Sequence, residues 1–355
     1  LATVGGGATS HVAILARALD IPAVAGMDPR ALELPDGTRV LLDGGMGQLR
    51  INPSPEEVSR IIQAQARLAA KKAAELASAA DPATTTDGHR IEVFANIGGL
   101  AEALQGMQLG AEGVGLLRSE FLFLDRATAP TEDEQTATYA EIAASLEGRP
   151  LIIRTLDVGG DKPLSYLPMP REENPMLGIR GVRIGLDRPE IFRTQVRAIL
   201  RAAKGHPIRI LFPMIATLDE IRSVKGLVEE ERAKLADSDP VELGIMVEMP
   251  STAVLARQFA REVDFFSVGT NDLTQYTLAM DRGHPKLGSK ADAINPAILQ
   301  LIAQTVAGAA AEGKWVGVCG GLASDPQAVA ILVGLGVKEL SCSVPAIPMV
   351  KAATG

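Results

Sequence analysis

A histidine behind three consecutive glycines is the first group in this sequence that could do chemistry. The string Gly5-Gly6-Gly7-Ala8-Thr9-Ser10-His11 leads into an apolar segment, 10–19, with helical spacing. Glycines leave backbone N–H groups open to an anion, and a helix N-terminus adds partial positive charge. Thr9 and Ser10 can donate hydrogen bonds to phosphoryl oxygens. We therefore interpret His11 as a nucleophile toward phosphorus, with a helix-capping histidine as the alternative.

Arginines form the second group. Arg118 and Arg154 each end an apolar run, and Arg180 follows an Asn-Pro-bearing loop. Arg282 lies in the string Asp281-Arg282-Gly283. The planar guanidinium bonds two oxygens at once, which suits phosphate and carboxylate. A substrate with both groups would need several arginines, although a single arginine is more often a surface or ion-pair residue.

Two carboxylates could supply a metal site. Glu248 ends one apolar run, and Asp272 follows the next in the string Thr270-Asn271-Asp272. Mg²⁺ prefers to bind a small number of carboxylates together with waters and substrate oxygens. Such an ion would neutralise charge and orient the substrate. The alternative is that both acids serve only as ion-pair partners.

The sequence has two cysteines, which are too few for a disulfide framework and favour a reducing cytoplasm. Cys319 directly follows an apolar run, where it could handle a proton, although a buried cysteine is usually a small hydrophobe. Cys342 lies inside the last predicted strand, and we interpret it as a packing residue.

The elements that would position these groups follow a repeated strand, loop and helix pattern from about residue 89. Eight short apolar runs predict a (β/α)8 barrel with long loops after its second, third and sixth strands. Active sites of this fold lie at the carboxyl ends of the strands, where the polar groups accumulate. The predicted strands are 91–96, 113–117, 151–155, 208–214, 243–248, 264–269, 315–319 and 339–343.

The first part of the chain has a different pattern. Runs 40–42 and 48–51 predict a hairpin, and 55–80 predicts one long helix with Pro55 and two glutamates in its first turn. The predicted units are an N-terminal region over 1–54, a linker helix over 55–82 and the barrel over 83–355.

Composition limits the function. The net charge of -8 argues against a general nucleic-acid binder, so no nucleic-acid partner is expected. No run of about 18 apolar residues predicts a membrane span. The chain begins at Leu1 rather than at a methionine, and we interpret it as part of a longer protein.

Several of these strings resemble enzyme I of the bacterial phosphoenolpyruvate:sugar phosphotransferase system. The resemblance runs from Gly5 to about Lys351 and includes the histidine string. It is most specific in two further strings, Thr155-Leu156-Asp157-Val158-Gly159-Gly160-Asp161-Lys162 and Gly269-Thr270-Asn271-Asp272-Leu273-Thr274-Gln275-Tyr276-Thr277. It implies that residues 1–54 are part of a swivelling β/β/α phosphohistidine domain, incomplete at its N-terminus, followed by a linker helix and a TIM-type barrel.

The resemblance also implies roles for matching residues. His11 would be phosphorylated, Cys319 would protonate the enolate, and Glu248 with Asp272 would bind Mg²⁺. The residues that would bind phosphoenolpyruvate are Arg118, Arg154, Asn271, Asp272, Arg282, Arg180 and Lys162. The products would be pyruvate and a phosphohistidine, from which the phosphoryl group passes to the carrier protein HPr. Family members are cytoplasmic homodimers.

Three departures separate this chain from free-standing enzyme I. The carrier-docking domain is not in this sequence. Gly321 follows Cys319-Gly320 where the family usually has Glu. The segment after Gly283 and the ending at Gly355 look more like fused multiphosphoryl transfer proteins. The alternatives are a fragment of pyruvate phosphate dikinase or phosphoenolpyruvate synthase, and a phosphoenolpyruvate-binding regulatory module that relays no phosphate.

Overall fold

The computed structural model describes most of the 355-residue chain, namely residues 1–5, 21–44, 46–159, 164–236 and 238–355. The chain divides into two compact units, Leu1–Ala73 and Ala74–Gly355. The predicted helix over 10–19 lies outside the described residues. The domain limits predicted at residues 54 and 82 stay predictions.

The first unit contains two small pairs of strands. Strands β1 (Ala2–Thr3) and β2 (Val24–Ala25) are parallel. Strands β3 (Val40–Asp43) and β4 (Gln48–Ile51) are antiparallel, which confirms the predicted hairpin. The Gly-rich sequence between β3 and β4 supplies the turn that such a short connection needs.

Helix α1 (Pro55–Ser78) confirms the long helix predicted over 55–80. Its start is stabilised reciprocally: the Glu57 N–H donates to the Ser54 hydroxyl at 3.2 Å, and the Ser54 N–H donates to the Glu57 carboxylate at 2.9 Å. This capping box satisfies two backbone donors that the helix itself leaves unpaired. No side chain of α1 is buried.

Eight parallel strands close into a barrel in the second unit. Each strand pairs with the next in chain order, and the last pairs with the first, which confirms the predicted (β/α)8 fold. A short strand, β5 (Ala83–Thr84), lies antiparallel to the first of them. The barrel strands are β6 (Arg90–Ile97), β7 (Val114–Arg118), β8 (Leu151–Arg154), β9 (Ile208–Phe212), β10 (Glu242–Val247), β11 (Phe265–Val268), β12 (Trp315–Val318) and β13 (Glu339–Ser343).

Helices pack around the outside of the barrel and bury the outward side chains of the strands. Within the described ranges, no helix combines the length and apolarity that a membrane crossing demands. The helices are α2 (Leu100–Gln108), α3 (Glu132–Ser145), α4 (Val182–Asp187), α5 (Pro189–Ala202), α6 (Leu218–Arg232), α7 (Pro250–Val254), α8 (Ala256–Ala260), α9 (Thr270–Leu278), α10 (Pro296–Ala310), α11 (Pro326–Gly334) and α12 (Ile347–Thr354).

Two cores follow from the alternation of side chains along each strand. Outward residues such as Leu340 and Cys342 join the large core beneath the helices, which confirms Cys342 as a packing residue. Inward residues form a smaller cluster inside the barrel, made of Leu116, Ile152, Leu211, Met246, Phe265 and Cys319. Cys319 therefore lies at the boundary between this cluster and the carboxyl end of the barrel.

The start of α6 offers a stability prediction. The Thr217 hydroxyl accepts from the Glu220 N–H at 3.2 Å, and the Glu220 carboxylate accepts from the Thr217 N–H at 2.9 Å. We expect Thr217→Ala to lower the free energy of unfolding by about 1 kcal/mol, measured by urea denaturation. The control is Thr138→Ala in α3, whose hydroxyl only donates to a carbonyl four residues earlier. An equal loss in both variants would contradict this role for the cap.

Three long connections leave the carboxyl end of the barrel. They span residues 119–131, 155–181 and 279–295, and the described part of each includes a short turn of 3-10 helix. The first two follow the second and third barrel strands, as the sequence predicts. The third was predicted directly after the sixth strand, but it follows helix α9, because that helix begins at Thr270, two residues after β11 ends. These loops and the strand ends frame the candidate site.

Candidate active site

Five of the predicted site residues end or directly follow neighbouring barrel strands. Arg118 ends β7, Arg154 ends β8, and Glu248 follows β10. Asp272 lies in the first turn of α9, just after β11, and Cys319 follows β12. Parallel strands of a barrel all point the same way, so these side chains share one mouth.

Arg154 is a buried cation held by acids. Its guanidinium donates to the Glu120 carboxylate and lies 3.1 Å from the Asp157 carboxylate. Only 7% of Arg154 is exposed. Burial alone would lower the pKa of Arg154, but the carboxylates of Glu120 and Asp157 outweigh it and raise that pKa above its ordinary value. The arginine is therefore a fixed positive charge.

Arg180 bridges two acids that come from different loops. Its guanidinium donates to both Asp157 oxygens, each at 3.2 Å, and to the Asp272 carboxylate at 3.0 Å. Burial works to lower the pKa of Arg180, and the two carboxylates outweigh it and raise the pKa overall. This bridge ties the loop after β8 to the start of α9, because a planar fork can bond two carboxylates at once.

Glu248 is a buried acid that lies near two other carboxylates. It is 1% exposed, and its carboxylate accepts from the Met214 N–H at 2.8 Å. Burial, and then repulsion from Asp157 and Asp272, raise the pKa of Glu248 to about 8. Three carboxylates share this region, so an added cation would be bound favourably there.

Met214 has a backbone conformation that side chains rarely adopt. Its φ is 61°, although the residue is fully buried at the end of the segment after β9. The conformation aims the Met214 N–H at Glu248. Such strain costs on the order of 1–3 kcal/mol and persists where surrounding structure enforces it, often at functional sites.

Two predicted residues lie on the open side of the mouth together with Arg118. Arg282 is part-exposed and lies 3.3 Å from the Asp272 carboxylate. Asn271 accepts a hydrogen bond from the Gly321 N–H at 3.0 Å. Gly321, the departure noted in the sequence, therefore holds Asn271 through its backbone. The exposed side chains at the rim can contact a ligand that arrives from solution, whereas the buried Arg154 and Arg180 lie at the bottom of the barrel mouth.

Cys319 is held beneath this mouth. Its N–H donates to the Val268 carbonyl at 3.0 Å, and its carbonyl accepts from the Asn96 side chain at 2.9 Å. Burial raises the pKa of the Cys319 thiol to about 12, although the Ser267 hydroxyl works against it. The thiol therefore keeps its proton at neutral pH and can act as an acid rather than as a nucleophile.

Two predicted residues lie outside the described residues. These are His11 and Lys162. The described residues thus bring together Arg154, Arg180, Glu248, Asp272 and Cys319, with Arg118, Asn271 and Arg282 on the exposed rim.

Sequence reasoning did not identify two positioning residues. Gln195 of α5 is fully buried, and its amide contacts the Leu156 N–H at 2.8 Å and the Ser119 hydroxyl at 3.0 Å. Tyr276 accepts from Arg180 at 3.4 Å and donates to the Met176 carbonyl. The only sequence signal for Gln195 was its polar side chain on the apolar face of α5. Tyr276 lies in the string 269–277, but nothing in that string indicated a role for it.

Comparisons with known proteins address the family. The model described as "PEP-utilising enzyme, PEP-binding domain" matches residues 72–354, and the model "PEP-utilising enzyme, mobile domain" matches residues 1–47. A citrate lyase structure from Burkholderia xenovorans LB400 has a TM-score of 0.50 and 19% identity, covering 78% of each chain. That likeness concerns the fold alone.

Relatives are similar over nearly the whole chain. A multiphosphoryl transfer protein of Rhodobacter capsulatus is 54% identical over 352 residues, which is 99% of this chain and 42% of the relative. A phosphoenolpyruvate-protein phosphotransferase of Geobacillus stearothermophilus is 48% identical over 96% of this chain and 60% of its own length. The corresponding protein of Haemophilus influenzae is 44% identical over 98% and 61%.

The chain thus spans less than two thirds of the length of these relatives. Their names confirm the resemblance to enzyme I and to fused multiphosphoryl transfer proteins that the motifs indicate. With a matching model over 72–354 and a second over 1–47, the chain belongs to the family of phosphoenolpyruvate-utilising enzymes.

Proposed function

We propose that this chain takes the phosphoryl group of phosphoenolpyruvate onto His11 and releases pyruvate, as the enzyme I part of a sugar phosphotransferase system. The observation that supports this most is the barrel mouth itself. Two buried arginines, Arg154 and Arg180, lie there with the acids Glu248 and Asp272 and the protonated thiol of Cys319. In that set, the arginines can bind the phosphate and the carboxylate of the substrate, and the thiol can protonate the enolate carbon.

The arginines would bind the substrate through its anionic groups. Arg154 cannot lose its charge at any ordinary pH, and Arg118 and Arg282 are exposed at the rim. Charge-assisted pairs to phosphate and carboxylate are stronger than neutral hydrogen bonds and fix orientation. Lys162 and Asn271 are proposed as further contacts on the same substrate.

The acids fit a divalent cation. Glu248 and Asp272 come from neighbouring strand ends. Burial, and then repulsion from Asp157 and Asp272, raise the pKa of Glu248, and a cation would relieve that repulsion. Among the described residues, no group of three or more His, Cys, Asp or Glu side chains is arranged to hold a metal. Mg²⁺ is commonly bound by one or two carboxylates, with substrate oxygens and waters. When bound, it would neutralise charge on the phosphoryl group and the enolate oxygen.

The residues of the chain would divide the chemistry between them. A His11 nitrogen forms a bond to phosphorus while the bond from phosphorus to the enol oxygen breaks. The arginines stabilise the negative charge that develops. The Cys319 S–H bond then breaks as a C–H bond forms at the enolate carbon, which gives pyruvate.

Partners are proposed on the same basis. The phosphoryl group would pass from His11 to an HPr-type carrier, and the protein would act in the cytoplasm as a homodimer. A relative named phosphoenolpyruvate-protein phosphotransferase supports transfer to a protein. The proposed domains for this function are 1–54, 55–82 and 83–355.

The decisive experiment labels the protein with phosphoenolpyruvate carrying a radioactive phosphate, with Mg²⁺ and without ATP. We expect acid-labile label on the parent chain and none on His11→Ala. His89→Ala is the matched control, because His89 is exposed and pairs with Asp87 away from the barrel mouth. Absence of label on the parent chain would overturn the proposal. Label that requires ATP would point instead to a dikinase or synthase.

A further inference from the structure

A buried amide joins three strand ends beneath the barrel mouth. Asn96 lies near the end of β6, and only 9% of it is exposed. Its side-chain nitrogen donates to the Cys319 carbonyl and to the Ser341 carbonyl, each at 2.9 Å. Its side-chain oxygen accepts from the Ser341 hydroxyl at 2.5 Å. One side chain of β6 therefore contacts the neighbouring strand β13 and also the residue that follows β12.

These contacts give the Asn96 amide a single orientation. A carboxamide nitrogen carries two N–H donors, and here both donate to backbone carbonyls. The Ser341 hydroxyl donates to the amide oxygen, so exchanging the nitrogen and the oxygen would place that oxygen against two carbonyl oxygens. A buried polar network whose members are all paired makes the groups that it joins rigid. The amide therefore fixes the two carbonyls relative to each other.

Cys319 lies where the regular pairing of β12 has ended. The last paired residue of β12 is Val318, which is opposite Val268 of β11 and Leu340 of β13. The Cys319 N–H still donates to the Val268 carbonyl at 3.0 Å. Its carbonyl instead accepts from the side chain of Asn96, which comes from two strands away in the barrel. A side chain thus takes over from the strand ladder at this residue.

Three atoms of Cys319 are held by these contacts. Its N–H donates to the Val268 carbonyl, and its thiol lies 3.7 Å from the same oxygen. The third contact, from Asn96 to the Cys319 carbonyl, comes from a different strand. Without that third contact, the peptide after Cys319 would be free to rotate about the two contacts to Val268. The Cα–Cβ bond that carries the thiol would turn with it.

The direction of the thiol matters because the enolate carbon can be protonated on either face. In the proposed function, the Cys319 S–H bond breaks as a C–H bond forms at that carbon. A thiol held in one place delivers its proton to one face only. Displacing a reacting group by about 1 Å can slow its step on the order of 100-fold.

We propose that Asn96 is a positioning residue that holds the Cys319 thiol against one face of the enolate. Ser341 contributes by fixing the orientation of the Asn96 amide. The inference rests on the proposed function, in which Cys319 is the acid. A purely structural role, in which Asn96 only joins β6 to β13, would leave the face of protonation unchanged.

The test measures the face on which the carbon is protonated. Phosphoenolpyruvate with tritium at one defined vinyl position is mixed in deuterium oxide with Mg²⁺ and an excess of the protein. Each deuteron that is added creates a methyl group with three hydrogen isotopes, and the handedness of that group reports the face. Lactate dehydrogenase and NADH convert pyruvate as it forms, so the reverse reaction does not exchange its hydrogens. We expect one handedness from the wild type.

Asn96→Leu keeps the size of the side chain and removes its hydrogen bonds. We expect its product to lose most of the excess of one hand, and pyruvate formation to slow by about 10-fold or more. The final extent of acid-labile label on His11 should match the wild type, because the overall equilibrium does not change. Ser341→Ala removes the bond that orients the amide and leaves the two donated bonds, so we expect a smaller loss of handedness.

The matched control is Gln135→Met. Gln135 is also a buried amide, and its nitrogen donates to the Pro130 carbonyl at 3.2 Å, but it lies on α3 outside the barrel. We expect wild-type handedness and rate from this variant. Cys319→Ala lacks the thiol and should give equal amounts of both hands, since water then protonates the released enolate.

The outcomes distinguish the inference from the proposed function. Wild-type handedness in Asn96→Leu overturns the inference, whatever the rate of that variant, and leaves the proposed function standing. If thermal unfolding shows that Asn96→Leu does not fold, wild-type handedness in Ser341→Ala overturns it instead. A wild-type chain that gains no label on His11 overturns the proposed function. A labelled wild-type chain that gives both hands equally overturns the role of Cys319 as the acid, and the inference with it.

Discussion

Arg154→Met is expected to lower kcat/KM for phosphoenolpyruvate about 10³-fold, which corresponds to about 4 kcal/mol of lost transition-state stabilisation. Methionine replaces the aliphatic part of the arginine side chain and lacks the guanidinium, which lies 3.8 Å from the Met246 sulfur. It removes the fixed positive charge at the floor of the mouth. It also leaves Glu120 and Asp157 facing the substrate without that cation, so repulsion adds to the lost attraction.

The measurement is steady-state pyruvate formation, accompanied by thermal unfolding to show that the variant is folded. Arg222→Met is the matched control, since Arg222 pairs with Glu262 on the outer surface of α6. We expect this control to keep wild-type kcat/KM. A value for Arg154→Met within threefold of the wild type would remove Arg154 from the substrate site.

The barrel could be predicted from the sequence because parallel barrel strands are buried on both faces. Such strands are continuous apolar runs bounded by turns, and the eight runs match the eight strands to within a few residues. β8, predicted over 151–155 and found at Leu151–Arg154, is typical. The end of each run then indicates which side chains reach the mouth, which is why Arg154, Glu248 and Cys319 could be named in advance.

The pairing of charges at the mouth could not be predicted. Arg180 bridges Asp157 and Asp272, which lie 23 and 92 residues away in sequence. The bridge depends on the path of the loop over 155–181, and no local pattern specifies that path. In the sequence Asp157 is one residue of the string 155–162, and its contacts with two arginines emerge only in three dimensions.

The interior of the barrel reverses the usual meaning of an alternating pattern. Residues 339–343, Glu-Leu-Ser-Cys-Ser, alternate polar and apolar side chains, which normally indicates polar residues facing water. In the closed barrel the polar residues Glu339 and Ser341 face inward and are fully buried, while Leu340 and Cys342 pack beneath helices. This alternation of polar and apolar residues is the same whether the polar side chains face water or the interior of a closed barrel. The sequence therefore could not identify Glu339 as a buried acid.

Glu339 also leads to an expectation about stability that requires no substrate. Its pKa is about 8 in the folded protein and near 4.5 in an unfolded chain. Between these pH values the folded state binds one more proton than the unfolded state, so the free energy of unfolding falls as pH rises through this window. The stabilisation is fully present below pH 4.5 and is lost above about pH 8.

Glu339→Gln removes this titration and keeps the shape of a protonated carboxyl group. We expect the variant to gain about 3–5 kcal/mol on the wild type between pH 5 and pH 9, as a difference in the free energy of unfolding. Urea denaturation of both proteins at several pH values measures it. Other buried acids titrate in both proteins, so their contributions cancel in the difference. Parallel pH profiles for the two proteins would mean that folding does not raise the pKa of Glu339, and would contradict this expectation.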